Sequence, residues 1–353
     1  MAHVQKQFET FIDTIKLSGE EQILREKRDA VVTALRKGLK RDFGARNETP
    51  PSFESFNQGS YSLKTGIKPE GGGSNYDIDV GIVFAVNRKD HEADPLKLKR
   101  WVRDALKDHT DDVRIKTPCV TVNYVAGYHV DLAVYADPDQ RIDIELPLSW
   151  GKEHGETQEF QVNNPGALKD LIYSAFPDKT HRKQFRRVIR ALKRWRDRKY
   201  RSATSHAAPV GVGLTVAGLS MFTYRYSHFH AADDDRQATE DFIQKMLNDF
   251  RDNCWSSKDK ANGRRLVVAV PFAPNKDVFD RINNSNMLKL EELLKALLTD
   301  LKAAGTAGTN TEACTAMRRQ FGPDFPEGDN SKDESTAGSK AQVRAIVGSQ
   351  VSG

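Results

Sequence analysis

The run DIDVGIVFAV at residues 77 to 86 constrains the chain more than any other stretch. Its density of Val and Ile marks a strand. Side chains in a strand alternate faces, so Asp77 and Asp79 point to the same side, where their like charges repel. Such a pair is either the wet, charged start of a sheet strand or part of a cation site. The loop just before it holds Gly71, Gly72 and Gly73, which read as a flexible approach to the strand rather than a phosphate cradle. A third carboxylate, Asp131, is embedded in the apolar run HVDLAVY. Together with CVTVN upstream, that run reads as a hairpin turning at Ala126 and Gly127, which can bring Asp131 beside the first pair.

Three carboxylates gathered on strands suit a hard divalent cation. Mg²⁺, or Mn²⁺ in its place, takes oxygen ligands from one or two carboxylates, phosphates and water. Two such ions about 3.5 to 4 Å apart can activate an attacking hydroxyl and stabilise a leaving pyrophosphate. Asp77 and Asp79 are placed to bridge both ions, and Asp131 to hold the one at the attacking hydroxyl. Upstream, Gly59 and Ser60 form a turn that offers backbone N–H groups and a hydroxyl to phosphates. The pattern points to nucleotidyl transfer.

At 353 residues the chain is long enough for two lobes with a sizeable core. With 54 Lys and Arg against 49 Asp and Glu, the balance of charge singles out no partner. Cys119, Cys254 and Cys314 are too scattered for a zinc site or a disulfide framework, which fits a reducing cytoplasm. No run approaches the roughly 20 apolar residues of a membrane span, and no signal segment is visible. The expectation is a soluble cytoplasmic protein with no membrane partner.

Helices are expected over 4 to 16 and 20 to 43, the second with an apolar stripe of Ile23, Val31, Val32, Leu35 and Leu39 and a capping box from Ser18 and Glu21. A Pro-containing loop follows, then the Asp77 strand, a helix over 94 to 109, the hairpin, and a strand in RIDIELPL. From 165 on, the helical period dominates. Its clearest case is HRKQFRRVIRALKRWRDRKY, with Phe185, Val188, Ile189, Leu192 and Trp195 on one face. Further helices are expected at 210 to 228, 236 to 252 and 287 to 304, and the polar, Gly/Ser-rich stretch 323 to 353 reads as a disordered tail. His129 and His154 read as structural, and Trp101, Trp150, Trp195 and Trp255 as packing residues. The basic residues around Lys193, namely Arg186, Arg187, Arg190, Arg194, Arg196 and Arg198, read either as a solvated face or as a nucleic-acid stripe.

In order and spacing, GSYSLKTGIKP, DIDVGIVF and HVDLAVYADP resemble the polymerase-β-like nucleotidyltransferases, and more narrowly the bacterial cGAS/DncV-like nucleotidyltransferases, or CD-NTases. IRALKRWRD and VAVPFAPNKDVFDRI extend the resemblance over about residues 5 to 305. It implies an α+β fold: a mixed-sheet core lobe over 1 to 165, a helical lobe over 166 to 322, a long N-terminal helix spanning both, and a tail over 323 to 353. It also implies Mg²⁺-dependent joining of NTPs, ATP and GTP first among them, into a cyclic di- or trinucleotide for antiphage (CBASS) signalling. Residue by residue, it assigns metal to Asp77, Asp79 and Asp131, donor phosphates to Gly59 and Ser60, and the triphosphate to Lys193. The family's serine after a helix-starting proline is missing, since Val210 and Gly211 follow Pro209, which leaves Ser205 as a weak substitute. In some members the last residue of a mobile tail is conjugated by a partner with combined E1 and E2 activities, a role that would fall to Gly353. A linear oligonucleotide synthase and a catalytically silent nucleotide or RNA sensor remain the alternatives.

Overall fold

The computed structural model describes residues 2–17, 20–70, 77–125, 127–142, 144–202, 207–272 and 275–328. The chain opens with α1 (Gln5–Ile15) and α2 (Glu20–Gly44). The helices expected over 4 to 16 and 20 to 43 are both present, and they divide between the lobes where the resemblance implied one long helix spanning both. Phe8, Phe11, Ile12 and Ile15 of α1 are buried in the core of the helical lobe, whereas Val31, Val32, Leu35 and Leu39 of α2 are buried against the sheet. Ser18, half of the expected capping box, lies outside the described residues.

The core lobe continues with β1 (Phe53–Asn57), the single turn α3 (Gly59–Ser62), β2 (Asp77–Phe84), α4 (Lys97–Ala105), β3 (Asp112–Ile115), β4 (Val120–Asn123), β5 (His129–Ala136), β6 (Leu146–Gly151) and β7 (Gln158–Asn163). The sheet runs β1-β2-β5-β4-β3, with the β6–β7 hairpin joined to β5 at Tyr135 and Leu148. All its pairs are antiparallel except β2 with β5. Alternation then divides the faces. Ile78, Val80 and Ile82 of β2, with Val130, Leu132 and Val134 of β5, pack under α2 and α4. The opposite face carries Asp77, Asp79 and Asp131, and further along it Val83 and Tyr135 pack with Leu146 and Leu148. Gly38 of α2 lets the two helices touch: a Cβ there would stand 1.9 Å from the Ala105 carbonyl oxygen.

The helical lobe comprises α5 (Ala167–Ala175), α6 (Lys179–Lys199), α7 (Gly211–Met221), the short pair β8 (Tyr226–Ser227) and β9 (Ala232–Asp233), α8 (Asp235–Asn248), the hairpin β10 (Phe250–Ser256) and β11 (Ala261–Leu266), α9 (Asn284–Thr306) and α10 (Asn310–Phe321). Its core continues past the expected boundary at 322: Phe325 is fully buried and stands edge-on to Phe8 of α1. The helix expected over 94 to 109 is confined to α4, and the strand expected in RIDIELPL begins only at Leu146. Among the described residues no helix is long and apolar enough to cross a membrane.

Candidate active site

The register of β2 against β5 assembles the carboxylates. In this parallel pair Asp79 lies opposite Asp131 and Asp77 opposite His129, so all four side chains rise from one face. Each end of the cluster also has a lateral partner. The buried Thr121, opposite Asp131 on β4, donates its hydroxyl to Asp131, and His129 Nε2 stands 2.8 Å from Asp77 Oδ1. With Asp77 and Asp131 turned outward in this way, the carboxylates share a face without closing on one point. Among the described residues no group of three or more His, Cys, Asp or Glu is arranged to hold a metal ion.

The crowding registers in the acidities. Burial, and then the charges of Asp131 and Asp77, push Asp79 up to about 6. Burial also raises Asp77, where His129 opposes the shift and Asp131 adds to it. Gly59 is fitted against this cluster. Its φ is +60°, and a Cβ there would stand 1.9 Å from Asp79 Oδ2. Only glycine tolerates both the left-handed backbone and that approach. Ser60 follows, and its carbonyl accepts from Thr65 N at 2.9 Å, closing the turn after α3.

Helix α6 supplies the other wall. It starts at an Asp178 cap, which accepts from Thr180 N and His181 N, and buries Phe185, Val188, Ile189, Leu192 and Trp195. Its cations do not form an open stripe. Arg186 donates to Leu63 O, Arg190 to Gly66 O and Lys64 O, and Arg194 to Lys68 O; Arg198 pairs with Glu70. The helix thus clasps segment 63–70, which leads away from α3. Lys193 sits within this clasp, only 6% exposed, with Nζ 3.0 Å from both Thr65 O and Thr65 Oγ1. It is not a solvated surface charge. Burial, and then the charges of Arg196 and Arg190, lower it to about 7.

At the start of α7, where Val210 and Gly211 follow Pro209, a Cβ on Gly211 would stand 2.8 Å from an Arg196 guanidinium nitrogen and 3.3 Å from Lys193 Cε. The first turn of α7, with no side-chain cap at Val210, therefore abuts Lys193. Ser205, Gly353, Tyr76 and the three glycines at 71 to 73 lie outside the described residues. Thr121 and Thr65 are site neighbours that the sequence reading passed over, and His129, read there as structural, stands against Asp77. Only His129 carried a usable signal, standing two residues before Asp131 on the same strand face.

Residues 53–135 match the family described as cyclic GMP-AMP synthase DncV-like, nucleotidyltransferase domain. This stretch of the core lobe is similar to a DncV-like nucleotidyltransferase domain. The matched stretch begins with β1 and ends within β5, and so encloses Gly59, Ser60, Asp77, Asp79 and Asp131. A cyclic GMP-AMP synthase of Escherichia albertii is 25% identical over 198 residues, which cover 54% of this chain and 41% of that protein. A mutant of Vibrio cholerae DncV in complex with ATP, GTP and 5MTHFGLU2 superposes with a TM-score of 0.73 at 15% identity, over 92% of this chain and 97% of that one. DncV in complex with the linear intermediate 5' pppA(3',5')pG gives 0.67 at 16% identity, over 89% and 93%. These likenesses show that the fold is shared with DncV across both the core lobe and the helical lobe.

Proposed function

We propose that this chain is a Mg²⁺-dependent nucleotidyltransferase that joins NTPs into a cyclic dinucleotide, with ATP and GTP as substrates, in an antiphage signalling role. The observation that carries the reading is the register placing Asp79 opposite Asp131, two residues from Asp77 and against Gly59, inside a DncV-like domain. The donor set fits a hard cation: three carboxylates on one face, with Asp79 raised by burial and then by the charges of Asp131 and Asp77. Asp77, Asp79 and Asp131 would hold it, once Asp77 and Asp131 turn from His129 and Thr121. Bound there, Mg²⁺ supplies charge neutralisation for phosphate oxygens and the leaving pyrophosphate.

The remaining work falls to the chain. Backbone groups of the Gly59–Ser60 turn and the Ser60 hydroxyl orient the donor phosphates. Lys193, freed from Thr65, meets the triphosphate and regains its full charge. A ribose hydroxyl oxygen then attacks the α-phosphorus of the donor, the bond to pyrophosphate breaks, and the hydroxyl proton passes to solvent. A second such attack on the triphosphate end of the linear intermediate closes the ring and releases a second pyrophosphate. The chain's contribution is alignment and fixed charge. Incubation with labelled NTPs and Mg²⁺, read by chromatography and mass spectrometry, should give a product resistant to phosphatase. Products fully digested by phosphatase would establish a linear synthase instead, and no incorporation from any NTP would reject the transfer chemistry.

A further inference from the structure

Beside the carboxylates a slot of about 350 Å³ opens between the lobes, bordered by Gly59, the residue that also abuts Asp79. The sheet lobe contributes Trp150 and Val162 to its walls, and the helical lobe contributes Val212 and Phe272. Val162 and Val212 are 47% and 48% exposed although apolar, and they border the same slot from opposite lobes. Its polar side chains are Ser62, Gln161, Asn163, Asn164 and Lys276; Ser62 Oγ donates to Gly59 O and Asn164 Oδ1 accepts from Ala167 N, while Lys276 Nζ stands 3.5 Å from Gln161 Oε1. The slot has the size and the mostly apolar walls of a small-molecule site, and at Gly59 it borders the proposed reaction centre.

We propose that this slot takes the nucleobase of one bound NTP, and that Lys276 makes it favour a base with a carbonyl edge, guanine or uracil, over adenine or cytosine. This rests on the nucleotidyl-transfer reading, which requires a base near Gly59 whenever phosphates lie at Asp79. A flat π-system stacks on Trp150 and Phe272 whatever its identity, so stacking supplies affinity without choice. The amides of Gln161 and Asn163 each carry a donor and acceptors and can turn over to suit either edge. Lys276 cannot, because an ammonium only donates. Guanine O6 and uracil O4 accept from it, whereas the amino groups of adenine and cytosine set donor against donor. Choice of base thus falls to a residue far outside the matched stretch at 53–135.

The test is binding of nonhydrolysable NTP analogues with each of the four bases to the full chain, by calorimetry and tryptophan fluorescence. The guanine and uracil analogues should bind most tightly and quench fluorescence. Lys276→Glu should invert that order. Trp150→Ala should weaken the preferred analogues roughly tenfold, while Trp150→Phe keeps most of the affinity and loses much of the quenching. An order unchanged in Lys276→Glu, affinity unchanged in Trp150→Ala, or no binding of any analogue overturns the proposal. Pyrophosphate release from natural NTPs by the unaltered chain, measured in parallel, separates the two claims. Ordered binding without release contradicts the transfer reaction and leaves the slot standing. Release whose base preference ignores both substitutions overturns the slot alone.

Discussion

Lys193 is buried against a carbonyl and a hydroxyl, with two arginines nearby and, among the described residues, no carboxylate bonded to it. A triphosphate is the kind of partner that offsets this arrangement. Lys193→Ala should therefore raise KM for NTPs by roughly tenfold, with a smaller effect on kcat, since the charge is lost from ground and transition states alike. Its folded value near 7 lies below the ordinary 10.5, so between those values the unfolded chain holds a proton that the folded chain has shed. Stability should rise with pH across that window by up to about 1.4 kcal/mol per unit. Lys193→Met should flatten the rise in denaturant titrations at pH 7 to 10, and an unchanged slope would show that the amine is not desolvated. Asp79 differs in sign of charge but not in logic. Asp79→Asn removes one of three crowded charges and should stabilise the fold by about 1 kcal/mol in the absence of divalent ions, read as a higher denaturation midpoint. The carboxylates were legible in the sequence because alternation and apolar context are local signals. Thr121 and Thr65 were not, since cross-strand register and the clasp of α6 on segment 63–70 join residues far apart in the chain.

Among the elements, α6 was the most legible and its polar side the most misleading. Its apolar face is periodic, but sequence does not say what an arginine meets. Arg187 meets Asp233 and Asp235, the latter fully buried. Arg187→Met should cost about 3 to 5 kcal/mol, because it strands a buried carboxylate, and a cost below 1 kcal/mol in equilibrium unfolding would contradict that pairing. Gly38→Ala should also be strongly destabilising, by about 2 to 4 kcal/mol, since the added methyl meets the Ala105 backbone across the α2–α4 contact. Strands were legible where buried on the sheet's helix-covered face, as in β2 and β5. The β10–β11 hairpin was missed because FRDNCWS and ANGRRL are mostly polar, which leaves no apolar alternation to read.

At the scale of the molecule, the two lobes meet where α6 grips segment 63–70 and where α1 and α2 divide between them, and the candidate site lies at that junction. The two-lobed α+β architecture was legible from the change of period near 165. The allocation of α1 to the helical lobe was not, because an amphipathic helix does not name the core it will join. The central claim is that these carboxylates serve transfer chemistry rather than the fold. Its most direct test is Mg²⁺-dependent pyrophosphate release from NTPs by the unaltered chain and by the Asp77→Asn, Asp79→Asn double variant, with folding of both checked by circular dichroism. Release by the former and none by a folded double variant is the expected result. Equal release by a folded double variant would contradict it.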